Sequence, residues 1–144
     1  MSILDNIPVH IPSSVSTADR AYNTLPLLHE IRHALERLSR EGESTILDLR
    51  AIPFPPGDEQ RLLDYLGTGE VEAQLHALGN SLIRETRYSG VWVVEHKNGD
   101  DERVALQIEI TSVPAILRAQ PEDIEEGLNR LTASLSADVK EDLV

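Results

Sequence analysis

The chain has 144 residues, 13 Lys and Arg against 25 Asp and Glu, and no Cys. That length fits one domain with a single core, and the absence of Cys excludes disulfides, thiolate metal sites, cysteine nucleophiles and cysteinyl iron–sulfur ligation. The formal charge of −12 argues against nucleic acid as a partner, because phosphate binding needs a basic surface.

Residues 1–18 contain Pro8 and Pro12 among serines and show no helical periodicity, so they are expected to form an extended or mobile arm. Thr24 is a candidate N-cap, followed by Pro26 in the first turn. Leu27, Leu28, Ile31, Leu35 and Leu38 then recur at helical spacing up to Gly42. Thr45–Arg50 reads as a short strand, AIPFPPG as a proline-punctuated loop, and Asp58–Leu66 as a short helix stopped by Gly67 and Gly69. Alternation at Val71, Ala73 and Leu75 predicts a strand, and a second is expected over Leu82–Tyr88. Val91–Lys97 and Arg103–Ser112 flank Asn98-Gly99, a hairpin signal. Pro121 opens a final helix with the apolar stripe Ile124, Leu128, Leu131 and Leu135. The order α-β-α-β-β-β-β-α predicts an α+β domain, a mostly antiparallel sheet of four to five strands with helices on one face. A single domain is expected over residues 19–138, followed by an acidic tail, 139–144.

The negative charge is uneven. Residues 121–144 carry seven acids against Arg130 and Lys140, and residues 58–72 carry five against Arg61. Such surfaces keep a protein soluble, and they also attract cationic partner segments. No apolar run reaches the roughly 18 residues of a membrane span, and MSILDNIPVH does not read as a signal peptide. Neither membrane insertion nor export is expected.

Residues 29–33 spell His-Glu-Ile-Arg-His, a literal H-E-x-x-H, whose spacing lets two imidazoles one helical turn apart share zinc. At 100° per residue, however, His29 and His33 lie about 150–170° from the core direction of this helix. A solvated face is the better reading, and no metal site is expected. A small zinc hydrolase using His29, Glu30 and His33 is the rival. There is no G-x-S-x-G elbow and no complete dinucleotide loop, and the acidic 98–102 segment reads as a turn rather than a calcium loop. Trp92, the single Trp, lies in an apolar strand. Core packing is the first reading, and an interface anchor, including one between two copies of the chain, is the second.

Five blocks are more specific. They are Leu28–Leu35 with Ile46–Arg50 and the proline-rich turn, Leu66–Val71, Arg84–Trp92 with Glu95–Asn98, Ile108–Leu117, and Pro121–Ile124. In this order and spacing, over about residues 24–136, the chain resembles the HupH/HyaF-type hydrogenase expression/formation proteins. The resemblance implies a cytoplasmic accessory protein for maturation of membrane-bound nickel–iron uptake hydrogenases. It implies a chaperone-like role on the iron–sulfur small-subunit precursor before twin-arginine export, alongside other maturation proteins. Many relatives are about twice as long. No cofactor and no catalytic residue are carried over, so a binding protein without chemistry of its own is expected. Its candidate contact residues are Gly69, Glu70, Arg84, Glu85 and Trp92, with Gly67, Gly69 and Gly90 also read as turn positions needing positive φ.

Overall fold

The computed structural model describes residues 24–142, with side chains described through residue 138. The predicted arm, 1–18, and the last two residues of the predicted tail lie outside the described residues. By their internal contacts the described residues divide into two compact units, one ending at Ser112 and the other beginning at Val113.

In the first unit, helix α1 (Thr24–Glu41) is followed by strand β1 (Thr45–Asp48), a 3-10 turn (Leu49–Ala51) and helix α2 (Asp58–Leu66). Four strands complete it: β2 (Glu72–His76), β3 (Asn80–Glu85), β4 (Val91–Lys97) and β5 (Arg103–Ile110). They form one antiparallel sheet in the order β1-β5-β4-β3-β2. The last four strands are a meander, and β1 pairs with β5 at the far edge.

The apolar periodicities explain this arrangement. Leu27, Ile31 and Ala34 of α1 and Leu62, Leu63 and Leu66 of α2 are buried. They pack with Val91, Val93, Leu106, Ile108 and Ile110 of the central strands. Each large side chain withdrawn from water stabilises the fold by roughly 1.5–3 kcal/mol. Strand residues on the other parity, Ile83, Trp92 and Val94, are buried as well, at 0%, 5% and 1% exposure. Strand β4 is therefore apolar on both faces, as the continuous Val91–Val94 run suggests.

The expected α+β class, element order and antiparallel sheet are all present. The boundaries differ locally. The third strand ends at Glu85 rather than Tyr88, because Thr86–Gly90 forms a turn. Val71 precedes β2, although its carbonyl still accepts the Glu85 N–H at 2.8 Å. Val104 shares the parity of the buried Leu106 and Ile108 yet is 55% exposed, near the register shift between His96 and Lys97 that interrupts the ladder.

The second unit contains a 3-10 turn (Ala115–Leu117) and helix α3 (Pro121–Asp142). Residues 139–142 continue this helix. No described helix is long and apolar enough to cross a membrane.

Candidate docking groove

The loop after α2 and the turn after β3 are separated in sequence and joined in space. Helix α2 closes with Gly67 N–H donating to Leu63 O at 2.9 Å. The following segment runs beside the end of β3, where Gly69 N–H donates to Glu85 O at 2.8 Å and Arg87 N–H donates to Leu66 O at 2.8 Å. Arg84 Nη1 donates to Gly67 O at 3.1 Å and to Thr68 Oγ1 at 3.4 Å.

Gly69 serves this junction by close approach. Its φ is not positive, whereas those of Gly67 and Gly90 are, at 69° and 91°. That corrects the expectation of a left-handed turn at Gly69. A Cβ built there would lie 2.6 Å from Glu85 Oε1 and closer still to Thr86 O, so any larger residue displaces the loop.

The turn itself is held by Thr86, which is 1% exposed. Its N–H donates to Val91 O at 2.9 Å, and its hydroxyl oxygen accepts the Tyr88 N–H at 3.2 Å. Val91 N–H donates to Tyr88 O at 3.0 Å. This geometry presents the Tyr88 ring, which stacks on Tyr65 of α2 with centroids 6.4 Å apart and planes 17° from parallel. Beside the pair lies an apolar groove of about 300 Å³, walled by Leu25, Leu28 and Leu35 of α1 together with Tyr65, Leu66 and Tyr88. His29 and Arg32 stand along it. Leu25, Tyr65 and Tyr88 are 58%, 56% and 40% exposed. The volume is at the small end of ligand pockets, suited to a few apolar side chains.

The five predicted contact residues are divided by this arrangement. Gly69 and the exposed Glu70 are in the loop. The Arg84 guanidinium braces that loop from β3. Glu85 is in register with Trp92 and therefore on the opposite sheet face from Arg84. Trp92 is buried, and its Nε1–H donates to Thr111 O at 3.1 Å. The groove residues Leu25, Tyr65 and Tyr88 were not anticipated. Their signal was the placement of large apolar side chains outside the core stripe of their elements.

His29 and His33 are exposed, as their positions on the helical wheel require. His33 Nδ1 lies 3.9 Å from Glu36 Oε2. Among the described residues no group of three His, Asp or Glu side chains is placed to hold a metal. Ser81 Oγ and His96 Nδ1 approach to 2.7 Å as a directly opposed cross-strand pair. Among the described residues no carboxylate is hydrogen-bonded to that imidazole, as nucleophile activation by a triad would require.

The geometry therefore defines a class: a small α+β domain with two helices layered on an antiparallel sheet and an apolar groove beside them. Residues 21–137 match the family described as HupH hydrogenase expression protein, C-terminal conserved region, and the chain belongs to that family. It is 31% identical over 115 residues to the hydrogenase expression/formation protein HoxQ of Azotobacter vinelandii, covering 78% of this chain and 41% of that protein. It is 27% identical to HupH of Rhizobium leguminosarum bv. viciae, over 84% of this chain and 44% of that protein. The chain thus spans less than half the length of these curated relatives. A solved structure, the hydrogenase expression protein HupH from Thiobacillus denitrificans ATCC 25259, superposes with a TM-score of 0.77 at 36% identity. The match covers 80% of this chain and 96% of that one.

Proposed function

We propose that this domain is an accessory, chaperone-like protein of hydrogenase maturation that binds the iron–sulfur small-subunit precursor of a nickel–iron uptake hydrogenase. It acts by binding, without chemistry of its own, and the encounter belongs to the cytoplasm before export. Family membership supports the maturation role. The observation that carries the binding reading is the exposed apolar groove between α1, α2 and the Thr86–Gly90 turn.

A twin-arginine precursor combines a basic start with an apolar stretch. The apolar stretch fits the Leu25, Tyr65 and Tyr88 wall, where water is released on contact. The basic start suits a chain of formal charge −12, through an attraction that weakens with salt. Gly69, Glu70, Arg84 and Glu85 act in this proposal at the junction that holds the turn, with Trp92 beneath it.

The test is titration of the purified chain with the small-subunit precursor and with the same subunit lacking its signal peptide. Micromolar or tighter binding to the precursor is expected, with loss of about tenfold, or roughly 1.4 kcal/mol, in Leu25→Asp or Tyr88→Ala. Binding to neither form would refute the reading. Equal binding to both, unaffected by salt, would remove the signal peptide from it.

A further inference from the structure

The rim of the apolar groove carries the opposite sign to the chain as a whole. With 13 Lys and Arg against 25 Asp and Glu, an arbitrary patch of this surface should be acidic. Yet no carboxylate lines the groove, and its polar wall residues are His29 and Arg32 of α1, both exposed.

A second basic station lies where α2 meets the Thr86–Gly90 turn. Arg87 precedes the wall residue Tyr88, and its N–H donates to O of the wall residue Leu66 at 2.8 Å. Its guanidinium lies against Gly67, where a built Cβ would stand 2.6 Å from Arg87 Nε and 2.9 Å from Nη2. Arg84 reaches the same glycine from β3, its Nη1 donating to Gly67 O at 3.1 Å. Two guanidinium groups thus meet one residue beyond Leu66.

These cations are not neutralised from within. Among the described residues none of Arg32, Arg84 and Arg87 forms an ion pair. Asp64, next to Tyr65, instead accepts from Gln60 Nε2 at 2.8 Å, and Glu85 is on the opposite sheet face from Arg84.

We infer that the groove holds an apolar segment of the partner protein whose flanks carry acidic side chains. This rests on the groove being the docking site of the proposed function, and it states the chemistry of what enters. A carboxylate accepts paired hydrogen bonds from a guanidinium fork, and apolar walls shelter such bonds from water. Two stations on separate elements call for more than one carboxylate. A chain terminus supplies only one, so acidic side chains on either flank of the apolar stretch fit better. The net charge acts on approach and is screened beyond about 8 Å at physiological salt, so the rim decides at contact. A basic start of the partner then lies outside the groove.

The test is isothermal titration calorimetry of the full chain with three synthetic peptides. They share one short leucine-rich core, flanked by Glu, by Ser or by Lys. The Glu-flanked peptide should bind about tenfold more tightly than the Lys-flanked one, an order that the net charge alone would reverse. Arg32→Gln and Arg87→Gln, both at exposed positions, should together remove that preference and leave the Ser-flanked affinity unchanged. Tyr88→Ala should weaken all three peptides. Equal affinities, tighter binding of the Lys-flanked peptide, or a Glu preference that survives both arginine substitutions would overturn the inference. If Tyr88→Ala still weakened binding in those cases, the groove would stand as the docking site. No binding of any peptide, or binding indifferent to Tyr88→Ala, would remove the groove reading and this inference together.

Discussion

Replacing Gly69 by Ala adds one methyl group and should cost more than its size suggests. The new Cβ would stand 2.6 Å from Glu85 Oε1 and nearer to Thr86 O. The carboxylate end can swing away, but Thr86 O belongs to backbone fixed by the bond from Thr86 N–H to Val91 O at 2.9 Å. The loop must therefore retreat by about 1 Å to reach ordinary van der Waals separation, which stretches the 2.8 Å bond from Gly69 N–H to Glu85 O. Overpacking of this kind costs about 1–3 kcal/mol, and losing the backbone bond adds about 0.5–1.5 kcal/mol. The total, about 2–4 kcal/mol, lowers the urea midpoint by roughly 1.5–2.5 M for a protein of this size. Trp92 is the only Trp and is buried at 5% exposure, so its fluorescence follows the unfolding of the sheet. Gly42→Ala is the control. Its φ is 71° with no atom within 4 Å of a built Cβ, so it should lose only the left-handed strain, about 1 kcal/mol. If Gly69→Ala unfolded within about 0.5 kcal/mol of the parent, or no earlier than Gly42→Ala, the close-approach argument would fail.

Two further predictions concern side chains away from the groove. Trp92→Phe keeps an aromatic ring but loses the bond from Nε1–H to Thr111 O. Thermal unfolding followed by circular dichroism should report a loss of about 1–2 kcal/mol, and a change below about 0.5 kcal/mol would show that this bond does not hold the β4–β5 end. Arg103 bridges Glu59 of α2 at 2.8 Å and Glu95 of β4 at 3.1 Å while remaining 41% exposed. Solvent screening limits its worth, so Arg103→Ala should cost about 1 kcal/mol or less at low salt and nearly nothing in 1 M NaCl, where the Debye length is about 3 Å. A cost independent of salt would assign the effect to packing of the arginine stem.

Elements with a strong period were legible from residue order alone. The Asp58–Leu66 helix has its predicted bounds, and Asn98-Gly99 does join β4 to β5. Asn98 Oδ1 accepts the N–H groups of Asp100 and Glu102 at 2.9 and 3.0 Å, and Asp101 takes the positive φ of 62° that the extra loop residues require. The pairing of β1 with β5 was not legible, because no local pattern states which distant strand a four-residue segment joins. The end of β3 differs from the expected Tyr88 because Thr86 and Tyr88 continue a β-compatible composition, while the turn is set by the bonds from Tyr88 N–H to the Thr86 hydroxyl and from Val91 N–H to Tyr88 O. The groove was invisible for a related reason. Leu25 and Tyr65 are ordinary surface residues when each is considered alone, and they become a wall only once α1 and α2 lie side by side and Tyr88 arrives from β3.

That construction separates two kinds of contribution to binding. The loop at 67–71 and the turn at 86–90 are joined by backbone hydrogen bonds, so their geometry depends on which side chains are small enough to permit them. Gly69 touches no partner in this scheme and positions the turn that carries Tyr88. The Tyr88 ring, 40% exposed, is available to touch a partner and contributes little to the core. Gly69→Ala should therefore lower stability and affinity together, whereas Tyr88→Ala should lower affinity while the urea midpoint stays within about 0.5 M of the parent. Measured on one protein, the pair distinguishes a residue that shapes the groove from one that uses it. If Tyr88→Ala lost as much stability as Gly69→Ala, the Tyr65–Tyr88 stack would belong to the fold's own packing, and the partner contact would have to be sought elsewhere along Leu25 and Leu28.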